Sequence, residues 1–338
     1  MEKKLVVGIV GAGLTAHLRY YAIKEFPGNR IRVKGVYSRT PGNLAKFSKE
    51  ISVKAFNSLE EMYKDAEINT ISLNIPNRYH YEFVKSALYN GKNVIVEYPL
   101  VINDYKEAEE LLEFASERGL FLHVGQTMKY DNDLKFLIKN KDHIGEILTG
   151  YKYISNKELA SSFNFSGSEV NYNGLGKWYV NDNESGGWII TAHYHYIQIF
   201  RKILGEVISI FAVDSSRNNI AMSTVIMKHE NDSSSVIQWG FPIPGRNFAL
   251  AILTGTIGSI RIINNEYLIY SNKGNKEGVF TDDLTREINS FVEDWKFLLD
   301  KLDGRENLDE DNSDMLKSLK VAMCAQKSAI EGKTVLIK

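Results

Sequence analysis

The chain has 338 residues, 43% of them hydrophobic and 25% charged, which excludes a disordered chain and leaves room for two domains with full cores. A formal net charge of −1, with no block of five or more like charges, gives no electrostatic reason to expect nucleic acid or a membrane surface as a partner. The single cysteine, Cys324, excludes an internal disulfide and suits a reducing compartment, and no apolar run reaches the ~18 residues of a membrane span.

The first run, MEKKLVVGIV, stops at a glycine-rich turn without a cleavage-site pattern, so it is not read as a signal peptide and a cytoplasmic protein is expected. Leu5, Val6, Val7, Ile9 and Val10 predict a buried parallel strand. Gly11, Gly13 and Ala16 follow it at the G-x-G-x-x-G/A spacing of a dinucleotide fold. Gly11 permits the tight turn, Gly13 lets backbone approach a pyrophosphate, and Ala16 lets the next helix pack on the strand. That helix begins near Leu14 and Thr15 and aims its free N–H groups at the phosphates. The alternative is an ordinary strand-to-helix turn that binds nothing.

The helix is expected to run to about Phe26, stopped by Pro27-Gly28-Asn29, before a second strand over Ile31 to Tyr37. An NAD site usually has an acidic residue at the end of this strand, for the ribose hydroxyls, yet none occurs between Glu25 and Glu50. Ser38 and Arg39 stand there instead, able to hold a 2′-phosphate by charge-assisted bonds. This points to NADP(H) as the preferred cofactor, with NAD(H) possible; the alternative is a solvated surface arginine.

Thr40-Pro41 supplies a helix N-cap and a first-turn proline, and Ser58 to Glu61 matches a capping box. Strands follow at Val53 to Phe56, Ile68 to Ile75, Val94 to Glu97 and Leu120 to Val124. Helices are expected at Tyr79 to Asn90 and Tyr105 to Arg118, closed by Gly91 and Gly119. This alternation predicts a Rossmann-type doubly wound parallel sheet over residues 1–125. Its ligands belong at the carboxyl ends of the strands, which collects Gly11, Ser38, Ile75, Pro76, Asn77, Glu97 and Tyr98 at one edge.

Residues 126–338 read as a second, α+β domain for substrate binding and oligomerisation. A buried helix is expected over Trp188 to Leu204. Strands are expected at Ile147 to Ser155, Val207 to Asp214, Met222 to Lys228, Ser235 to Phe241, Phe248 to Thr254 and Ser259 to Ile263, with no helix between Gly205 and a final amphipathic one over Asp314 to Glu331. Such an open, mainly antiparallel sheet must bury its free face on something, and a homodimer or homotetramer is the expected cover.

With PNRYH at 76–80 and VIVEYPL at 94–100, the sequence resembles the glucose-fructose oxidoreductase and inositol dehydrogenase (Gfo/Idh/MocA) family over nearly the whole chain. GIVGAG at 8–13, IGEI at 144–147, KWYVNDNESGG at 177–187, GTIGSIRI at 255–262 and the closing EGKTVLI carry the same resemblance. It implies an NAD(P)-dependent oxidoreductase with an N-terminal Rossmann domain, a C-terminal open sheet used for dimer or tetramer contacts, and cofactor contacts from Pro76, Asn77 and His80. Two departures stand out. Glu97-Tyr98-Pro99 replaces the family's Glu-Lys-Pro, a variant that looks like the biliverdin reductases of the same superfamily, and Thr191 stands where an aspartate usually precedes the catalytic histidine by four residues.

On that resemblance His195 is the acid-base residue. Thr191, at i, i+4 on the same helix face, orients it or bonds nearby, and Gln198 continues that face. The alternative is a core histidine satisfied by backbone. His193 and His195 also suggest a metal pair, but two residues apart on a helix they diverge by roughly 200 degrees, so no metal is expected. Tyr98, extended before Pro99, is placed in the crevice as a hydrogen-bond donor or as an aromatic packed on the nicotinamide. Lys129 lies where the family often has an arginine facing the substrate. The irregular stretch from Lys157 to Glu184, with Phe163, Phe165, Tyr172, Trp178 and Tyr179, suits a sugar-like or flat substrate. The expected reaction is hydride transfer between nicotinamide and a carbonyl or alcohol carbon of a sugar- or polyol-like substrate. The alternatives are reduction of a bilin-like conjugated substrate and a non-catalytic NADPH-binding sensor.

Overall fold

The computed structural model describes residues 4–26, 30–157, 162–165, 168–171, 178, 182–218, 220–264, 266–272, 274, 276–279 and 285–337. In the N-terminal part, β1 (Leu5–Val10), α1 (Leu14–Ile23), β2 (Ile31–Tyr37), α2 (Pro41–Ile51), β3 (Lys54–Ala55), α3 (Leu59–Lys64) and β4 (Thr70–Leu73) alternate as predicted. They continue into α4 (His80–Tyr89), β5 (Asn93–Glu97), α5 (Tyr105–Glu117) and β6 (Leu122–Gly125). All six strands pair in parallel in the order β3-β2-β1-β4-β5-β6. The order reverses between β1 and β4, and the crevice at such a switch point is where open α/β sheets bind ligands. Val7, Ile9, Ile71, Leu73, Val94 and Val96 are fully buried, as strands covered on both faces require. The capping box closes as the sequence implies, with the Glu61 N–H donating to Ser58 Oγ at 3.1 Å.

After α6 (Asn132–Asn140) and β7 (Ile147–Ser155), the stretch from Lys157 to Glu184 departs from an irregular loop. It contains an antiparallel hairpin, β8 (Ser162–Phe165) with β9 (Ser168–Asn171), and a helical turn, α7 (Asp182–Ser185). Tyr172 and Tyr179 lie outside the described residues. The predicted helix from Trp188 also differs: Ile189–His193 is a π-helical turn, and only Tyr194–Leu204, α8, is α-helical. Single π turns inside helices recur at functional sites.

β10 (Val207–Asp214), β11 (Ala221–His229), β12 (Ser234–Phe241), β13 (Phe248–Gly255), β14 (Gly258–Ile263), β15 (Glu266–Ser271) and β16 (Lys276–Val279) follow. With β7 and the C-terminal β17 (Val335–Leu336) they form a nine-stranded sheet in the order β16-β15-β14-β13-β7-β12-β11-β10-β17. Every pair is antiparallel except β7 with β12. Strict alternation gives the sheet two faces. Val225, Met227, Ile237 and Leu253 are buried, on the face where Phe200 and Leu204 of α8 press against Gly150. The opposite face presents half-buried Tyr151, Tyr153, Phe211, Val236, Leu250 and Ile252 beside Val213, Ile226 and Phe248, which are 44%, 43% and 37% exposed.

The expectation of no helix between Gly205 and Asp314 is overturned. α9 (Thr285–Leu302) is an amphipathic helix, and α10 (Leu308–Glu331) begins earlier than Asp314 because the Asn307 side chain caps the Asp309 N–H. Phe291, Trp295, Leu298 and Leu299 of α9 complete the core around Leu5, Val7, Ile9 and Leu18, and Trp295 Nε1 donates to the Arg19 carbonyl at 3.0 Å. A helix from late in the chain thus covers the first sheet layer.

Candidate active site

A cavity of about 530 Å³ opens at the switch point, within the ~300–1,000 Å³ range of small-molecule sites. Its floor is the turn after β1. Gly11 has φ +103°, and a Cβ there would sit 2.1 Å from the Asn74 carbonyl oxygen, so only glycine lets β1 and β4 approach this closely. Gly11, Ala12, Gly13 and His17 line the cavity at the start of α1, opposite Asn74, Ile75 and Pro76. Leu14 is buried in the core below and, like Thr15, does not line the cavity.

At the other end Ser38, Arg39, Thr40, Asn43 and Lys46 form one wall, and Tyr79 and Phe83 the other. Among the described residues the lining contains Arg39 and Lys46 and no carboxylate. Trp178 lines this same cavity. A glycine turn at a helix start, followed by an end that carries Arg39 and Lys46, fits a dinucleotide whose anionic groups need donors.

Several residues expected at this edge are engaged by the protein itself. Asn77 Nδ2 donates to the Ser185 carbonyl at 2.8 Å and reaches Thr191 Oγ1 at 3.3 Å, while Thr191 Oγ1 donates to the same carbonyl at 2.9 Å. This triangle ties the β4 loop, α7 and the π turn together. His80 is fully buried, with Nδ1 2.6 Å from the Pro99 carbonyl oxygen and Nε2 3.0 Å from that of Ile75. Glu97 accepts from Arg19 Nε at 2.7 Å, and Arg19 Nη1 also donates to Asp294 on α9. Burial raises the Glu97 carboxyl above its usual range; for Asp294 burial acts the same way, but His123 and Arg19 together outweigh it and hold the carboxyl low. Lys129 Nζ is paired with Asp311 at 2.6 Å and lies over the Phe297 ring.

The remaining candidates meet beside the π turn. Tyr98 is 8% exposed and donates its hydroxyl to the Ile190 carbonyl at 3.3 Å. Its ring stacks on Tyr194, centroids 3.2 Å apart, and meets His195 edge-on at 5.5 Å. Tyr194 in turn donates to Gln126 Oε1, which also accepts from Gln198. His195 is partly exposed and does not line the cavity, and its Nδ1 is buried without a hydrogen-bond partner among the described residues, which leaves Nε2 as the nitrogen open to another group. Burial pushes its pKa down to about 4, leaving a neutral imidazole near pH 7. His193 points away, with Nε2 2.7 Å from Ser223 Oγ, and among the described residues no group of three metal-ligating side chains occurs.

Residues 5–126 match the model of an oxidoreductase family with an NAD-binding Rossmann fold, Gfo/Idh/MocA. The match covers this N-terminal part of the chain. Among curated relatives, an uncharacterized oxidoreductase of Schizosaccharomyces pombe is 28% identical to this chain over 156 residues, 45% of the chain and 42% of the relative. The NADP(+)-dependent scyllo-inositol 2-dehydrogenase of Bacillus subtilis is 28% identical over 127 residues, 38% of this chain and 34% of the enzyme. The matched stretches thus span less than half of either relative. The fold extends further: biliverdin reductase from Synechocystis sp. PCC 6803, solved with biliverdin and NADP+, superposes with a TM-score of 0.81 at 21% identity, covering 96% of this chain and 98% of that one.

Sequence reasoning left out Asn43, Lys46, Tyr79, Phe83 and Tyr194. Thr40, Asn43 and Phe47 recur at helical spacing on α2, a signal for which face looks into the cavity. Nothing local marks Tyr79 or Tyr194, whose roles come from contacts between distant segments. Among the described residues no helix is long and apolar enough to cross a membrane.

Proposed function

We propose that the chain is an NADP(H)-preferring oxidoreductase, binding the dinucleotide across β1 and β4 and acting on a carbonyl or alcohol carbon of a small sugar- or polyol-like substrate. The observation that carries the cofactor preference is the cavity end where, among the described residues, Arg39 and Lys46 stand without a carboxylate. An NAD ribose calls for an acceptor there, and a 2′-phosphate calls for donors. The nicotinamide supplies or accepts hydride when bound. The chain's own part is to seat the pyrophosphate on the Gly11–Gly13 turn, to hold His195 beside Tyr98, and to give or take a proton at His195 Nε2.

A second substrate reading, a flat conjugated molecule such as a bilin, draws on the Tyr98–Tyr194 stack and on the engagement of the Tyr98 and Thr191 hydroxyls with backbone carbonyls. The open face of the nine-stranded sheet, where Val213, Ile226 and Phe248 are exposed beside half-buried apolar side chains, supports a homodimer or homotetramer, since clustered exposed apolar residues mark interaction surfaces.

Titration of NADPH and NADH against the wild type and Arg39→Ala tests the cofactor reading. A hydrogen bond to a charged group contributes ~1.5–3 kcal/mol, so the variant should weaken NADPH roughly ten- to a hundred-fold and leave NADH unchanged. Equal affinities in the wild type overturn it. A panel of sugars, polyols and bilins, followed by NADPH absorbance, decides the substrate class; tight NADPH binding without turnover on any of them favours a sensor.

A further inference from the structure

Arg39 does not hang free at the cavity rim. Its Nη1 donates to the Tyr79 hydroxyl at 2.8 Å, and its guanidinium carbon lies 4.8 Å from the centroid of the same ring. The Arg78 guanidinium is 4.9 Å from that centroid. A bond between residues this far apart in sequence ties the tip of β2 to the loop after β4, across the mouth of the cavity that both line.

We propose that Tyr79 determines discrimination for a 2′-phosphate, by holding Arg39 in place and by adding a donor of its own. The inference rests on the NADP(H) reading above and deepens it. A guanidinium carries five N–H groups, and Tyr79 uses one of them in the 2.8 Å bond. The hydroxyl that accepts this bond still has one hydrogen to give. Guanidinium and phenol together therefore present a fixed cluster of donors. A long arginine side chain already held on an aromatic ring loses less freedom when an anion arrives than one moving in solvent.

An independent feature of the same wall points to an anion. α2 begins there with Thr40 at its N-cap and Pro41 in its first turn, and the Thr40 side chain makes no capping bond. The first-turn N–H groups of Gly42 and Asn43 thus receive no cap from Thr40, and Thr40, Asn43 and Lys46 of this helix start line the cavity with Ser38 and Arg39. A helix N-terminus, two cations and a phenol, with no carboxylate in the lining among the described residues, form a phosphate site whose far side is Tyr79.

The test is isothermal titration of the full-length protein with NADPH, NADH, 2′-AMP and 5′-AMP, using the wild type, Arg39→Ala, Tyr79→Phe and Tyr79→Leu. Tyr79→Phe keeps the ring under the guanidinium and removes only the hydroxyl. It should weaken NADPH and 2′-AMP roughly ten-fold and change NADH and 5′-AMP less than about two-fold. Tyr79→Leu, which removes the ring as well, should lose more. In the Arg39→Ala background Tyr79→Phe should cost clearly less than in the wild type, because most of its effect passes through Arg39. If Arg39→Ala abolishes the NADPH preference while Tyr79→Phe and Tyr79→Leu bind like wild type, the role of Tyr79 is refuted and the cofactor reading stands. Equal loss for NADPH and NADH also refutes it, marking Tyr79 as a wall of the cavity. A wild type without NADPH preference refutes the cofactor reading itself.

Discussion

The ring of Tyr98 lies nearly parallel to that of Tyr194, 18° between planes and 3.2 Å between centroids, and each phenol is tied to a different part of the protein. Tyr98 bonds the Ile190 carbonyl in the π turn, and Tyr194 bonds Gln126 beyond the end of β6. The pair joins the end of β5 to the helix that carries His195. Tyr98→Phe keeps the stack and gives up one hydrogen bond, an expected loss of ~1 kcal/mol in urea unfolding. Tyr98→Ala empties a buried aromatic site and should cost ~3–5 kcal/mol. If the two variants unfold alike, the stack is not what holds this junction.

Stability should fall as the pH drops below about 6.5. Burial lowers His193 to about 3 and His195 to about 4, and it lowers His80 and His229 as well. The unfolded chain, with histidines near 6.5, binds more protons than the folded one between pH 6.5 and 4, so stability rises with pH across that window and levels off above it. The fully buried His193 alone should contribute a slope of ~1.4 kcal/mol per pH unit there. Urea midpoints from pH 8 to 4.5 check this, and His193→Gln should flatten the acid limb; an unchanged slope in that variant means that His193 does not titrate as described.

Gly11→Ala should abolish dinucleotide binding and destabilise the N-terminal sheet. The residue has a positive φ, and the added methyl would meet the Asn74 carbonyl oxygen at 2.1 Å, which forces β4 away from β1. A thermal melt several degrees lower, with no NADPH-induced rise, is the expected result. A variant that melts and binds like wild type would show that the turn tolerates a side chain.

The open face of the second sheet predicts an oligomer in solution. Ile226 and Ile252 face outward on β11 and β13, so Ile226→Glu or Ile252→Glu should shift sedimentation toward monomer while NADPH affinity, set in the other layer, stays the same. A monomeric wild type at micromolar concentration removes the proposal.

Much of the N-terminal layer is readable along the chain because its signals are local. β-branched runs, the Gly11-x-Gly13 turn, the Ser58–Glu61 cap and the closing Gly91 and Gly119 each act within a few residues, and each sits where the pattern puts it. Phe291, Trp295, Leu298 and Leu299 recur at helical spacing and mark α9 locally as well. The π turn at Ile189–His193 had no such signal, since one extra residue per turn leaves the apolar pattern of a buried helix intact.

What needed three dimensions is which polar groups are already satisfied. Asn77, His80, Thr191, Glu97 and Lys129 carry the chemistry of a site, yet each meets a protein partner: Ser185, Pro99 and Ile75, Ser185 again, Arg19 and Asp311. Conversely Tyr79 and Tyr194, silent in the sequence, stand beside Arg39 and Tyr98 because β-strand ends distant in the chain converge at one crevice. Hydrophobic periodicity and turn chemistry are properties of neighbours along the chain. A hydrogen bond forms wherever a donor and an acceptor come within about 3 Å, and only the packed structure sets those distances.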